Sequence, residues 1–208
     1  MLRQYAQGDH VCALYETEKE MLAISARYVA EGLQAGERCL FVAGSPDVLT
    51  RFRAALDALG LNSTDQLKRG ALVLATNTEA HLAGGCLDSE RMLRMLNDAV
   101  EDALNAGFQG LRTCGDMSWL IDKPEGSEQV VEYEVLLNQF FRGVRAVGMC
   151  LFDHSRLPPV MLDHALASHP SVALERGRVP NPFFEPVMAR AGQPDQVSRR
   201  IRELRQGA

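Results

Sequence analysis

No stretch of this sequence approaches the roughly 20 consecutive apolar residues of a membrane helix, and Met1 to His10 contain no apolar signal core. Both absences point to a cytoplasmic protein with no membrane attachment. Neither sign of charge dominates: 22 basic residues face 27 acidic ones, for a net charge of -5. That balance gives no global electrostatic footprint for direct nucleic-acid binding. Cysteine pairing is missing as well, since Cys12, Cys39, Cys86, Cys114 and Cys150 are odd in number and scattered, and four of them sit in apolar runs. Thiols so placed serve as small core residues of a reduced protein. The chain has no internal repeat and no low-complexity tract.

The signatures of common chemistries are absent too. No Gly-x-Ser-x-Gly occurs, so there is no nucleophile elbow. Cys150 has acid-base neighbours in Asp153 and His154, but on a strand a spacing of three turns Cys150 and Asp153 to opposite faces. His10 and Cys12 share one strand face and Asp153-His154 closes another strand, yet none of this is a recognised ligand spacing. His164 and His169 read as surface or capping residues. The expectation is therefore no metal, no cofactor and no catalytic group.

What the 208 residues do contain, at 46% hydrophobic content, is enough apolar surface for one substantial core. Short β-branched or aromatic runs alternate with longer amphipathic ones. Strands are expected at 10–15, 38–43, 71–76, 108–114 and 147–153, with a short last one at 172–174. Helices are expected near 17–34, 47–59, 89–106, 127–142 and 159–167. The helix near 127–142 shows a core stripe of Tyr133, Leu136, Leu137, Phe140 and Val144. Regular alternation implies right-handed βαβ units, hence a three-layer α/β fold with a mostly parallel sheet and helices on both faces.

Such a fold invites a nucleotide, but the phosphate cradle is missing. After the first strand stands Tyr15-Glu16-Thr17-Glu18-Lys19-Glu20, with three acids and no glycine. After the second, Gly44-Ser45-Pro46-Asp47 is too short for a dinucleotide fingerprint, and the proline removes an amide. The polar groups lie further on. Gly110-Leu111-Arg112-Thr113-Cys114-Gly115-Asp116-Met117-Ser118-Trp119 sets charged side chains and the only tryptophan on and after an apolar strand, where open parallel sheets place ligand sites. Arg112, Asp116, Trp119 and Glu134 are the first candidates to line a small-molecule site, with Tyr15, Asn138 and Asp153 behind them. Trp119 would supply an apolar wall, Arg112 would bind a carboxylate or orient an internal acid, and Glu134 or Asn138 would fix polarity. An alternative stays open, in which Arg112 and Asp116 form a structural ion pair and the others a buried network.

Six landmarks in order carry a resemblance. They are Gly8-Asp9-His10-Val11-Cys12-Ala13-Leu14-Tyr15, Gly32-Leu33-Gln34-Ala35-Gly36-Glu37-Arg38-Cys39, the Gly110 to Trp119 block, Tyr133-Glu134 with Leu137-Asn138, Cys150-Leu151-Phe152-Asp153, and His169-Pro170. Together, from about Gly8 to Phe184, they resemble the MEDS domain, the sensory domain named for methanogens, methylotrophs and the dichloromethane-dehalogenase regulator. The resemblance implies a RecA/KaiC-like fold without its nucleotide-binding loop and a bacterial or archaeal signalling domain that senses small molecules, commonly hydrocarbon derivatives. It also implies a partner such as a histidine kinase or a regulator, since family members are often fused to such modules.

The expected function is thus a non-enzymatic sensory or regulatory domain that binds a small molecule and relays it to a signalling or transcription partner. The alternatives are an interaction scaffold with no small ligand and a hydrolase or transferase using the acidic cluster. The sensory domain is assigned residues 1–186 and a tail residues 187–208. In the tail, Val197, Ile201 and Leu204 form a stripe amid Arg199, Arg200, Arg202 and Arg205, as in a short helix that docks on a partner protein or a second copy of the chain.

Overall fold

The apolar run Ala146–Asp153 is buried at every position and forms the longest strand among the described residues. The computed structural model describes residues 4–122, 125–174 and 177–185. Seven strands make one sheet: β1 (His10–Tyr15), β2 (Arg38–Ala43), β3 (Leu72–Thr76), β4 (Leu111–Asp116), β5 (Ala146–Asp153), β6 (Ser171–Leu174) and β7 (Gly177–Pro180). Their order is β3-β2-β4-β5-β1-β6-β7. β1 to β6 run parallel and β7 is antiparallel to β6. The helices are α1 (Glu18–Gln34), α2 (Pro46–Ala58), α3 (Ser63–Lys68), α4 (Ser89–Asn105), α5 (Val130–Gly143) and α6 (Pro159–Ser168).

Alternation along the strands divides the core in two, as a sheet covered on both faces requires. Val11, Ala13 and Tyr15 of β1 join Phe41 and Cys114 against α1 and α2. Cys12, Leu111, Cys150 and Phe152 join the other core, with Met92, Leu96 and Val100 of α4 and Tyr133, Leu137 and Phe141 of α5. This is the three-layer α/β architecture with a mostly parallel sheet that the alternating pattern implies. Helix starts follow local chemistry: Thr17, Ser45, Asn62 and Asp88 each cap a helix by accepting an N–H from the residue three positions on.

Several boundaries differ from the sequence reading. β4 runs from Leu111 to Asp116 rather than 108–114, so Gly115 is a strand residue. A Cβ there would stand 3.1 Å from the His81 ring, closer than ordinary van der Waals contact. Between β4 and α5 lie a 3-10 turn at Ser118–Asp122 and a second at Ser127–Gln129, which leads into α5. On α5 the buried residues are Val130, Tyr133, Glu134, Leu137 and Phe141, so the stripe is rotated from the expected one and includes an acid. α3 and β7 had no strong signal: α3 is six mostly polar residues, and β7 ends on Pro180, which an edge strand tolerates. Beyond β7, Phe183 is 45% exposed, and the segment is held by buried Asn181, which donates to the Leu166 and His169 carbonyls at 2.6 and 2.7 Å. The tail helix expected within 187–208 lies outside the described residues.

Gly148 of β5 lies under the Phe141 ring, where a Cβ would fall well inside van der Waals contact. Gly148→Ala should therefore lose about 1–3 kcal/mol, the usual range for overpacking. Urea unfolding with an unchanged slope would check it.

Candidate functional site

The carboxyl ends of β1, β4 and β5 lie side by side, and the crossovers leave β1 and β5 toward opposite faces of the sheet, α1 on one and α6 on the other. Three of the expected residues meet here on the α1 side. Asp116, at the end of β4, is buried and accepts from the Ser118 N–H and Oγ, both at 2.9 Å, and from the Tyr15 hydroxyl at 3.3 Å. Burial raises its pKa above the ordinary carboxylate value, and the hydrogen bonds from Ser118, Tyr15 and the Gly44 backbone oppose the shift. Tyr15 is likewise pushed up, first by burial and then by the carboxyls of Asp116 and Asp153. Asp153 closes β5 and accepts from the Ser155 N–H at 3.0 Å and Oγ at 2.6 Å. Gly44 makes the close approach of Asp116 possible, since a Cβ there would stand 3.0 Å from both the Asp116 carboxylate and Ser118 Oγ.

The turn after β1 is closed by its own side chains. Thr17 Oγ1 accepts from the Glu20 N–H at 3.2 Å, and the Glu20 carboxylate accepts from the Glu16 N–H at 2.9 Å. Glu18 is engaged with Arg51. Two of the amides that a phosphate could use are taken, and acids stand around the turn.

Trp119 sits in the opposite core layer, in the 3-10 turn after β4. It is 5% exposed and stacks on His81 with ring centroids 5.7 Å apart. Its indole N–H is buried without a hydrogen-bond partner among the described residues. His81 Nδ1 is 2.8 Å from Asn77 Oδ1, and Arg91 donates to the carbonyls of His81, Ala83 and Cys86, which pins the segment carrying His81 against α4. Burial first, and the Arg91 charge second, lower the His81 pKa to about 4.

Arg112 is elsewhere. It lies near the amino end of β4 beneath α1, fully buried, with Nε donating to Glu37 at 2.7 Å and a second ion pair to Glu31 at 3.5 Å. It also donates to the Tyr28 carbonyl and stands over the Tyr28 ring. The structural ion pair left open from sequence exists, but with Glu37 and Glu31 as its acids and not Asp116. Two positions separate Arg112 from Gly110, and four from Asp116, so one strand carries the two charges to opposite ends of the sheet.

Glu134 and Asn138 form a third group, on the α5 side. Glu134 Oε2 is 3.3 Å from His10 Nε2 and 3.3 Å from His169 Nε2. Cys150 Sγ stands 3.4 Å from His10 Nε2 and 3.8 Å from Glu134 Oε2. Asn138 Oδ1 meets His10 Nδ1 at 3.3 Å, while its amide donates to the Ser168 carbonyl at 2.5 Å. His169 Nδ1 donates to the Ala165 carbonyl at 2.7 Å. Burial pushes the Glu134 carboxyl up to about 8 and the His169 imidazole down to about 4. His10 is held well below the ordinary imidazole value by burial and then by His169. Sequence reasoning missed His10 and His169 as members of one group. The shared face of His10 and Cys12 was visible, but His169 precedes β6, a neighbour of β1, only through a crossover that strand spacing does not reveal.

Comparison with known proteins agrees with this architecture. The KaiC-like protein of Pyrococcus horikoshii superposes with a TM-score of 0.52 at 14% identity, covering 80% of this chain and 70% of that one. The flagellar accessory protein FlaH of Methanocaldococcus jannaschii gives 0.55 at 14% identity, with the same coverage. At that identity the likeness concerns the fold, which is KaiC/RecA-like. In sequence, the chain is 27% identical over 166 residues to the transcriptional repressor DcmR of Methylorubrum extorquens (strain DSM 6343 / CIP 106787 / DM4). The match takes in 79% of this chain and 59% of the repressor's length. The model of the methanogen/methylotroph, DcmR sensory domain matches residues 9–170. This chain therefore belongs to the MEDS family of sensory domains, and its role is a sensory, regulatory one.

Proposed function

We propose that the chain is a non-enzymatic sensory domain that binds a small organic molecule, of the hydrocarbon-derivative class, at the carboxyl ends of β1, β4 and β5, and passes its state to a signalling or transcription partner. The observation that carries this reading is the buried Asp116 carboxyl, held by Tyr15 and Ser118 at the place where open α/β sheets take ligands, beside a first turn that is ringed by acids and has two of its amides engaged. A carboxyl so placed selects a neutral or cationic polar group over a phosphate. The unpartnered indole N–H of Trp119, one strand residue and a turn away, offers a donor on the other side of the same sheet end. The partner follows from the relative: DcmR is a transcriptional repressor longer than the part this chain matches, so the output is proposed to reside in a separate module.

The test uses the full chain, purified without denaturation. Short halomethanes, alcohols and carboxylic acids are titrated while the emission of Trp119 is read, with magnesium-ATP followed by calorimetry as the contrast. One of the organic probes should shift the emission, Asp116→Asn should weaken it about tenfold, the scale of one charge-assisted hydrogen bond, and magnesium-ATP should give no saturable heat. Micromolar ATP binding, or an organic probe held equally well by Asp116→Asn and Trp119→Phe, would sink the proposal.

A further inference from the structure

The group beneath α5 has properties that packing alone does not require. His10 comes from β1, Glu134 from α5, Cys150 from β5 and His169 from the residue pair that leads into β6. All four are buried, and each brings one ligand atom to a common point, with those atoms within 4.8 Å of one another. They are two imidazole nitrogens, a thiol sulfur and a carboxylate oxygen.

Their tautomers are fixed by what stands behind them. His169 Nδ1 is committed to the Ala165 carbonyl and His10 Nδ1 to Asn138 Oδ1, so both rings turn an Nε2 lone pair inward. This is the outer-shell arrangement that orients metal-binding histidines. The inward atoms are then acceptors facing acceptors. His169 Nε2 and Glu134 Oε1 have no hydrogen-bond partner among the described residues. A proton network would need protons on both Cys150 and Glu134 to serve the two imidazoles, and among the described residues His169 Nε2 receives no hydrogen bond.

The spacing is close to what a single ion requires. With bonds of about 2.0–2.1 Å to nitrogen, 2.0–2.2 Å to oxygen and 2.3 Å to sulfur, a tetrahedral ion separates its ligand atoms by about 3.3–3.6 Å. Of the six edges among the four ligand atoms, four measure 3.3, 3.3, 3.4 and 3.8 Å and all lie within 4.8 Å, so an ion would draw the atoms in from the longer separations. We propose that His10, Glu134, Cys150 and His169 bind one divalent transition-metal ion of the zinc type, joining α5 and the start of β6 to β1 and β5. Imidazole and thiolate donors favour zinc over magnesium or calcium, which take oxygen ligands. Four protein ligands in a closed, buried setting mark the site as structural, with no open position for a substrate. On binding, the Cys150 thiol and the buried Glu134 carboxyl each give up a proton to solvent.

The test uses the full chain and cobalt(II) as the spectroscopic probe, after chelator treatment. At one equivalent, the wild type should show thiolate-to-cobalt charge-transfer absorption with the intense visible bands of a tetrahedral ion. One equivalent of zinc should bleach them. Cys150→Ser should abolish the charge-transfer band. Asn138→Leu, which removes only the support behind His10, should keep the band and weaken metal affinity about 10–100-fold. Elemental analysis of protein purified without chelator should give one metal per chain. Far-UV circular dichroism confirms that each variant is folded. A wild type that shows no such band at one equivalent, or a band that survives Cys150→Ser, would overturn the proposal.

Discussion

Arg112→Ala should cost this domain about 3–5 kcal/mol, the range for breaking a buried ion pair by removing one partner. The side chain is fully buried and has three attachments: Glu37 at 2.7 Å, Glu31 at 3.5 Å and the Tyr28 carbonyl at 3.2 Å. Its removal leaves Glu37, only 2% exposed, with its charge in the core. Since small domains hold about 5–15 kcal/mol in total, such a loss takes a large share of the stability. The pair itself is not expected to be strongly stabilising, because desolvation offsets most of the attraction between its charges. Arg112→Met combined with Glu37→Gln should therefore recover most of what Arg112→Ala loses. Arg112→Lys should recover little, because an ammonium cannot reach Glu37, Glu31 and the Tyr28 carbonyl from one planar fork. Urea unfolding of the four proteins checks this, and an Arg112→Ala loss below about 1 kcal/mol would contradict the role assigned to the pair.

The same residue shows what spacing can and cannot say. The alternation of apolar runs was enough for the sheet, its parallel sense and the two covering layers, because burial on both faces writes itself into continuous apolar segments such as Ala146 to Asp153. The acids at Glu16, Glu18 and Glu20 revealed a turn unfit for phosphate, and the structure adds that Glu20 and Thr17 each engage one of its amides. The location of Arg112 was not visible. Its sequence neighbours suggested Asp116 as partner, whereas Glu37 becomes adjacent only when β2 pairs with β4, setting Arg38 opposite Leu111. Glu134 was visible as a polar residue beside an apolar stripe, but what it meets depends on β1, β5 and β6 lying together. Pairings between strands far apart in sequence are set by crossovers, and a local pattern carries no record of them. Gly32 offered a local hint that was legible only afterward: a Cβ there would run into the Arg112 side chain and lie 2.8 Å from Cys39 Sγ, so α1 must present a glycine to seat so large a side chain beneath it.

Acid should weaken the fold through His81, and the single tryptophan reports it. Burial, and then Arg91, lower the His81 pKa to about 4, against an ordinary imidazole value of 6.5. The sign follows from linkage. Because the folded state holds this ring neutral while the unfolded state protonates it, stability is complete above pH 6.5. It falls as the pH drops from 6.5 toward 4 and levels off below that. A difference of about 2.5 units corresponds to about 3 kcal/mol across this window. The ring is locked on one side by Asn77 and covered on its face by Trp119, so it cannot swing into water without losing both contacts. His81→Gln keeps a side-chain donor for Asn77 and has no titrating group. Between pH 6.5 and 4 the wild type should thus lose about 3 kcal/mol more than His81→Gln, with any contributions of His10 and His169 common to both proteins. In the wild type, emission from Trp119 should fall as His81 protonates near pH 4, since an imidazolium stacked on indole quenches it; in His81→Gln the emission should stay level until unfolding. Parallel loss of stability in the two proteins would show that His81 titrates freely and is not held neutral by its place against Trp119.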